Sequence, residues 1–119
     1  MLNFPSSVKV FVCRTAIDLR KSFDGLCGCV KEVLGVDPLS GHLFVFFNKR
    51  QTMVKVLFWD RTGFCVWCKR LEQGRFNIKS LDNDRRPMGL AELMLILEGI
   101  DLAGARYRKR FRLPEEMEI

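Results

Sequence analysis

The amino-acid sequence predicts a single α+β domain, in which an antiparallel β-meander packs with one helix from the N-terminal half and one C-terminal helix. Three observations support this prediction. The middle of the chain contains runs rich in β-branched and aromatic residues, which recur about every ten residues between turn-forming sequences. Apolar residues on both sides of this region recur at helical spacing. The length of 119 residues suits one domain with one hydrophobic core.

The N-terminal third is predicted to contain a strand followed by a helix. Val8 to Cys13 is dominated by β-branched and aromatic residues, which is typical of a short strand. Asp18 or Ser22 is suited to cap a helix that continues to about Leu34, and Gly35 fits the position just past its end. The apolar stripe predicted for this helix is Phe23, Leu26, Val30, Val33 and Leu34.

The middle of the chain is predicted to form the meander. Asn48 to Thr52 has the length of a hairpin loop. In the next loop, Gly63 suits the positive φ of a type I turn followed by a bulge. The predicted strands are Leu43–Phe47, Met53–Trp59, Phe64–Leu71 and Arg75–Lys79.

The C-terminal part is predicted to contain a second helix and a charged tail. This amphipathic helix runs to about residue 100, and its apolar stripe is Leu90, Leu93, Met94, Leu97 and Ile100. Basic and mostly apolar residues alternate over 106–113, which favours an extended segment with its arginines on one side. We therefore assign residues 1–105 to the domain and residues 106–119 to a tail that is first basic and then acidic.

Basic residues outnumber acidic ones by 20 to 14, which gives a net charge of +6. Residues 48–86 carry a net charge of +6, and residues 106–112 contain five basic side chains. An acidic segment, 87–105, separates the two blocks. Such an excess is typical of proteins that bind nucleic acid. A basic surface that is only solvated gives the same excess.

We predict that basic residues of these blocks, together with two near the first helix, bind nucleic-acid phosphates. The predicted set is Arg20, Lys21, Lys49, Arg50, Lys55, Arg61, Lys69, Arg70, Arg75, Arg106, Arg108 and Arg110. The alternative is that about half of the basic residues only solvate the surface and pair with nearby acids. The arginines of the tail fit either an arm in a minor groove or an edge strand kept soluble by charge.

Several other classes of function find no support. The chain has no apolar run long enough for a membrane span and no secretory signal, so we expect a cytoplasmic protein. The CxxC pair, Cys65 and Cys68, lies in a predicted strand, where side chains three residues apart point to opposite faces. No further ligands complete a zinc site, and we expect no cofactor. The five cysteines are predicted to be mostly small core residues: Cys13, Cys27, Cys29, Cys65 and Cys68.

A metal-dependent nuclease would need several acids around its metal ions. The candidate acids each have a structural explanation as a cap, a turn former or an ion-pair partner, so catalysis is not expected. These acids are Asp18, Asp24, Asp60 and Glu72.

A series of short motifs resembles the TnpB accessory proteins, which are encoded by the second open reading frame of IS66-family insertion sequences. The motifs keep the order of that family from about residue 5 to residue 105. They are Asp18–Leu26, Gly41–Phe46, Lys55–Asp60, Gly63–Phe64, Lys69–Glu72, Gly74–Phe76 and Leu97–Asp101. The resemblance implies a bacterial mobile element and an auxiliary, non-catalytic role in its transposition and DNA recombination, beside a separate transposase.

Two functions are consistent with these observations. The first is an accessory protein that binds the DNA of the element ends and assists the transposase. The second is a module that binds the transposase or another element-encoded accessory protein without contacting DNA. For the second, the acidic-flanked C-terminal helix offers a surface, and Trp59 and Trp67 are either exposed anchors or core residues.

Overall fold

The computed structural model describes residues 4–5, 7–78, 87–98, 100–101 and 106–107, the last two pairs by their backbone. It confirms the predicted α+β class and the predicted single domain with one helix on each side of the meander in sequence. In chain order the elements are β1 (Val10–Cys13), α1 (Phe23–Cys29), a π-helical turn (Val30–Leu34), a 3-10 helix (Pro38–Ser40), β2 (Leu43–Phe47), β3 (Met53–Asp60), β4 (Gly63–Arg70), α2 (Leu90–Glu98), β5 (Ile100–Asp101) and β6 (Arg106–Tyr107).

The main sheet has four strands in the order β1-β2-β3-β4. As predicted, β2, β3 and β4 form an antiparallel meander, with Val45 opposite Val56 and Val56 opposite Trp67. β1 instead pairs with β2 in parallel, with Val10 opposite Leu43. The sheet is therefore mixed, because the segment that contains α1 carries the chain back to the end of the sheet where β1 began.

Helical layers cover both faces of this sheet. The first layer places Leu26 and Val30 against one face, together with Phe44, Phe46 and Leu57. The second layer, α2, packs on the other face in a cluster that contains Val45, Phe47, Val54, Val56, Phe76, Leu93, Ile96 and Leu97. All five residues of the inner strand β2 are consequently buried. Each buried side chain of this size stabilises the fold by roughly 1.5–3 kcal/mol, and the two clusters together form the core.

The first helix departs from its predicted stripe. Leu26 and Val30 are buried, but Phe23 is 44% exposed and Val33 is 37% exposed. The π-helical turn at Val30–Leu34 accounts for Val33, because its wider turn rotates later side chains away from the face set by the α-helix. Gly35 ends the turn with φ of 66°, as predicted. Ser22 occupies the N-cap position, although its side chain makes no capping hydrogen bond.

The second helix crosses the sheet from one edge strand to the other. Just before it, Met88 pairs with Val10 of β1 through two backbone hydrogen bonds of 3.0 and 2.8 Å. At its other end, the Nζ of Lys69 in β4 donates to the carbonyl of Leu97 at 2.9 Å. The helix ends at Glu98, and residue 100 belongs to β5, which pairs with β6. Ile96 is buried and Met94 is 37% exposed, so the inward face is rotated from the predicted stripe.

Two local predictions are wrong. Residues 75–78 form no strand, because the N–H of Phe76 bonds the carbonyl of Gln51 at 2.7 Å and its ring is buried against Phe47. Lys79 lies outside the described residues. In the β3–β4 hairpin, Arg61 rather than Gly63 has the positive φ, at 50°. Asp60 pairs with Gly63, so the loop has two residues, and such loops need a positive φ within them.

Candidate nucleic-acid interface

One end of the sheet collects most of the predicted phosphate-binding residues. β1, β2 and β4 finish there and β3 begins there, because β1 is parallel to β2 and each hairpin reverses the chain. The loop after β1, the β2–β3 turn and the segment after β4 therefore lie together. We call this the basic end, and its predicted residues are Arg20, Lys21, Lys49, Arg50, Lys55, Lys69, Arg70 and Arg75.

The β2–β3 turn presents Lys49 and Arg50 on a fixed backbone. The Oδ1 atom of Asn48 accepts hydrogen bonds from the N–H groups of Thr52 and Met53 at 2.9 and 3.0 Å. Its Nδ2 donates to Thr52 Oγ1 at 3.0 Å. Both basic side chains at the tip are exposed. The sequence reasoning missed Asn48 as a positioning residue, although asparagine in a hairpin loop is a signal for such side-chain bonding.

The loop after β1 is organised by Asp18. Its carboxylate accepts from Arg20 Nε at 3.0 Å and from Nη2 at 2.7 Å, and also from the Arg20 backbone N–H at 3.0 Å. These bonds, the side-chain ones foremost, lower the pKa of Asp18 to about 2. The Arg20 side chain remains 92% exposed, so its charge is shared with Asp18 but still faces solvent.

Lys55 ties this loop to the sheet. Its Nζ donates to the backbone carbonyl of Lys21 at 3.0 Å, although the two residues are 34 positions apart in sequence. The stem of Lys21 lies beside Gly25, where an added Cβ would meet the Lys21 Cβ at 3.1 Å. Lys55 therefore supports the backbone that carries Arg20 and Lys21.

The predicted residues of the basic end divide into two groups. Four of them have partners: Arg20 with Asp18, Lys55 with Lys21, Lys69 with Leu97, and Arg70 with Glu72 at 3.2 Å. The other four are exposed, and their side chains have no hydrogen bond or ion pair within the described part of the chain. These four are Lys21, Lys49, Arg50 and Arg75.

The remaining predicted residues are not brought to this end. Arg61 lies in the β3–β4 turn, at the opposite end of the sheet. Arg106 belongs to β6, where its backbone pairs with Asp101. Arg108 and Arg110 lie outside the described residues.

A cleft of about 430 Å³ opens at the basic end, between the loop after β1 and the β2–β3 turn. One wall is largely apolar and the other carries the basic tip of the turn. The lining residues are Ala16, Ile17, Asp18, Leu19, Asn48, Lys49 and Arg50.

The candidate acids and the cysteines are dispersed. Asp60 lies at the opposite end of the sheet from Asp18 and Glu72. Within the described residues, no three His, Cys, Asp or Glu side chains are placed to hold a metal ion. Cys65 packs on the α2 side and Cys68, which is exposed, alternates to the other side, as predicted.

Burial raises the pKa of the Cys13 thiol.

The described residues contain no helix with the length and apolar character needed to cross a membrane.

Comparisons with known proteins give two kinds of match. Residues 8–107 match the family described as "IS66 Orf2 like protein". The chain is 37% identical to the uncharacterized protein y4hO of Sinorhizobium fredii over 85% of its own length and 88% of the relative. It is 27% identical to the uncharacterized protein y4jC of the same organism, over 98% and 99% of the two lengths. No solved structure shows significant similarity.

Proposed function

Since the chain belongs to the IS66 Orf2-like family of insertion-sequence proteins, we propose that it is a non-catalytic accessory protein that binds DNA at the element ends and assists a separate transposase. The expected partners are the element-end DNA, the transposase and a further element-encoded accessory protein, in the cytoplasm. No cofactor is needed for this role.

The observation that supports DNA binding is the gathering of basic side chains at one end of the sheet. Lys49, Arg50 and Arg75 are exposed there, and neither Lys49 nor Arg50 is neutralised by an acid in the described structure. Unpaired cations on a fixed turn favour phosphate binding, because each contact releases counterions condensed on the DNA. Such contacts hold the DNA backbone in place and give little sequence readout by themselves.

The test compares two double variants that remove the same charge from opposite ends of the sheet. Lys49→Gln with Arg50→Gln alters the tip of the β2–β3 turn. Lys9→Gln with Arg61→Gln is the matched control, because both residues are exposed and lie at the other end. The affinity for a duplex of the element end is measured by fluorescence anisotropy at several salt concentrations.

We expect the turn variant to reduce the slope of log affinity against log salt by up to about 1.8, because each lost phosphate contact removes about 0.9. The control should keep the slope of the unmodified protein. Absence of binding near 50 mM salt, where phosphate contacts are strong, would refute the proposal. An equal loss in the control would show that the basic end has no special role.

A second candidate function is supported by the outer face of α2. Met94 and Leu95 are each 37% exposed there, and Glu92 and Glu98 are exposed on the same helix. An apolar pair beside acids suits a basic protein partner such as a subunit of the transposition machinery. The tryptophans contribute less, since Trp59 and Trp67 are both partly buried and Trp59 packs edge-on against Phe64 at 5.1 Å.

Co-purification of the chain with the transposase tests this second function. The Met94→Ser, Leu95→Ser double variant should lose the partner and retain DNA binding. If the unmodified protein stays alone in the presence of the other element-encoded proteins while it still binds DNA, the second function fails.

A further inference from the structure

The cleft at the basic end has the size of a site for a small molecule. Its volume of about 430 Å³ lies in the range of concave sites that hold small organic ligands. A DNA duplex is a convex rod whose bases are stacked inside it, so it can touch only the rim of such a cleft. One nucleotide of an unpaired strand can enter, because its base is free to leave the stack.

The two walls of the cleft match the two parts of a nucleotide. Ala16 and Ile17 supply the accessible apolar surface of one wall, against which the sugar and the flat face of a base can pack, and the buried Leu19 lies behind them. Lys49 and Arg50 line the other and provide cationic donors for a phosphate.

Asp18 is the only acid that lines the described cleft, and its negative charge is paired with Arg20. The carboxylate of Asp18 would repel a phosphate, but it accepts three side-chain hydrogen bonds from Arg20 and one from the Arg20 backbone. The electrostatic potential in the cleft is therefore positive, and it is set mainly by Lys49 and Arg50 of the turn.

The cleft is held in shape without a ligand. The N–H of Ile17 donates to the carbonyl of Phe47 at 3.1 Å, which fixes the loop wall to the end of β2. On the turn wall, Asn48 makes its three side-chain hydrogen bonds to Thr52 and Met53. A preformed site avoids much of the cost of ordering its own groups when the ligand binds.

We infer that this cleft binds one nucleotide of a single DNA strand, so that the basic end distinguishes an unpaired strand from a duplex. The inference rests on the proposed function, since it specifies which form of DNA binds to the basic end. An unpaired strand is the chemical form of DNA that strand separation or fraying at an element end supplies.

Ala16→Leu tests the inference, because Ala16 is exposed and uncharged and lines the cleft. A leucine there fills space without adding an aromatic face on which a base would stack. Ala91→Leu is the matched control, since it makes the same change at an exposed alanine of α2. Circular dichroism and urea unfolding first establish that both variants fold.

Affinities are measured by anisotropy for a labelled strand of about 12 nucleotides, a length in the range that such grooves occupy, and for its blunt duplex. The unmodified protein should bind the strand more tightly. Ala16→Leu should weaken strand binding about tenfold while changing duplex binding less than about twofold, and Ala91→Leu should change neither.

The outcomes separate the inference from the proposed function. Tighter duplex binding, an equal loss of both ligands, or unchanged strand binding in Ala16→Leu would overturn the inference and leave the proposed function standing. Failure of the unmodified protein to bind either DNA would overturn both.

Discussion

Substitution of Lys55 by methionine should weaken DNA binding without changing its salt dependence. The Nζ of Lys55 donates to the carbonyl of Lys21 at 3.0 Å, so the lysine supports a loop instead of facing a phosphate. Methionine keeps most of the apolar stem and removes the donor. The loop that carries Arg20 and Lys21 then loses its tie to β3.

The size of the effect follows from this one hydrogen bond. A bond from a charged donor contributes about 1.5–3 kcal/mol when it is buried, and a partly exposed one contributes less. We therefore expect Lys55→Met to lower the free energy of unfolding by about 1 kcal/mol. Lys49→Met should change binding rather than stability. Its free energy of unfolding should stay within about 0.5 kcal/mol of that of the unmodified protein. The slope of log affinity against log salt should fall by about 0.9.

Urea unfolding and anisotropy titrations at five or more salt concentrations, performed on both variants, measure the two quantities. The two lysines lie near the same end of the sheet and differ in whether Nζ has a protein partner, so each serves as the control for the other. A fall of the slope by about one in Lys55→Met, with unchanged stability, would show that Lys55 contacts a phosphate and would refute the reasoning.

Three further predictions concern the fold around this surface. Arg61→Asn should raise the free energy of unfolding by about 0.5–1 kcal/mol in urea, because asparagine tolerates the left-handed region that Arg61 occupies; a fall in stability would contradict this. By NMR, the carboxyl of Asp18 should titrate at about 2, and Arg20→Gln should return its pKa toward 3.8. Because the native pKa is the lower one, this contribution to stability is present at neutral pH and lost as the pH falls toward 2. Leu93→Ala, at a fully buried position, should cost about 2–5 kcal/mol, whereas Leu95→Ala on the outer face of the same helix should cost less than about 1 kcal/mol.

The strands of the meander were predictable because their signal is local. Runs of β-branched and aromatic residues separated by short loops place each bound of β2, β3 and β4 within one residue of its observed position. The parallel pairing of β1 with β2 was not predictable in this way, since it depends on where the intervening helix returns the chain. The absence of a strand at residues 75–78 likewise depends on a distant contact, the bond from Phe76 to Gln51.

The candidate site was predictable in composition and not in arrangement. The sequence identifies Lys49 and Lys55 alike as basic residues of a meander. Only the register of the sheet and the position of the first helix show that Lys49 faces solvent while Lys55 bonds a carbonyl. Arg61 shares their charge, but one hairpin places it at the far end of the sheet.

The covering of the sheet explains why its end, rather than a face, is the site to test. A helix lies on each face and β2 is buried along its whole length, so no ligand reaches this inner strand without displacing a helix, whereas the edge strand β4 stays partly exposed. At the opposite end, Arg61 follows Asp60 directly in the β3–β4 turn, so within the described residues this cation lies next to an acid. At the basic end the cations exceed the nearby acids, two of which are already paired with arginine. Charges of one sign on a single end add to a field that extends into solvent, and such a field attracts a polyanion before any contact forms.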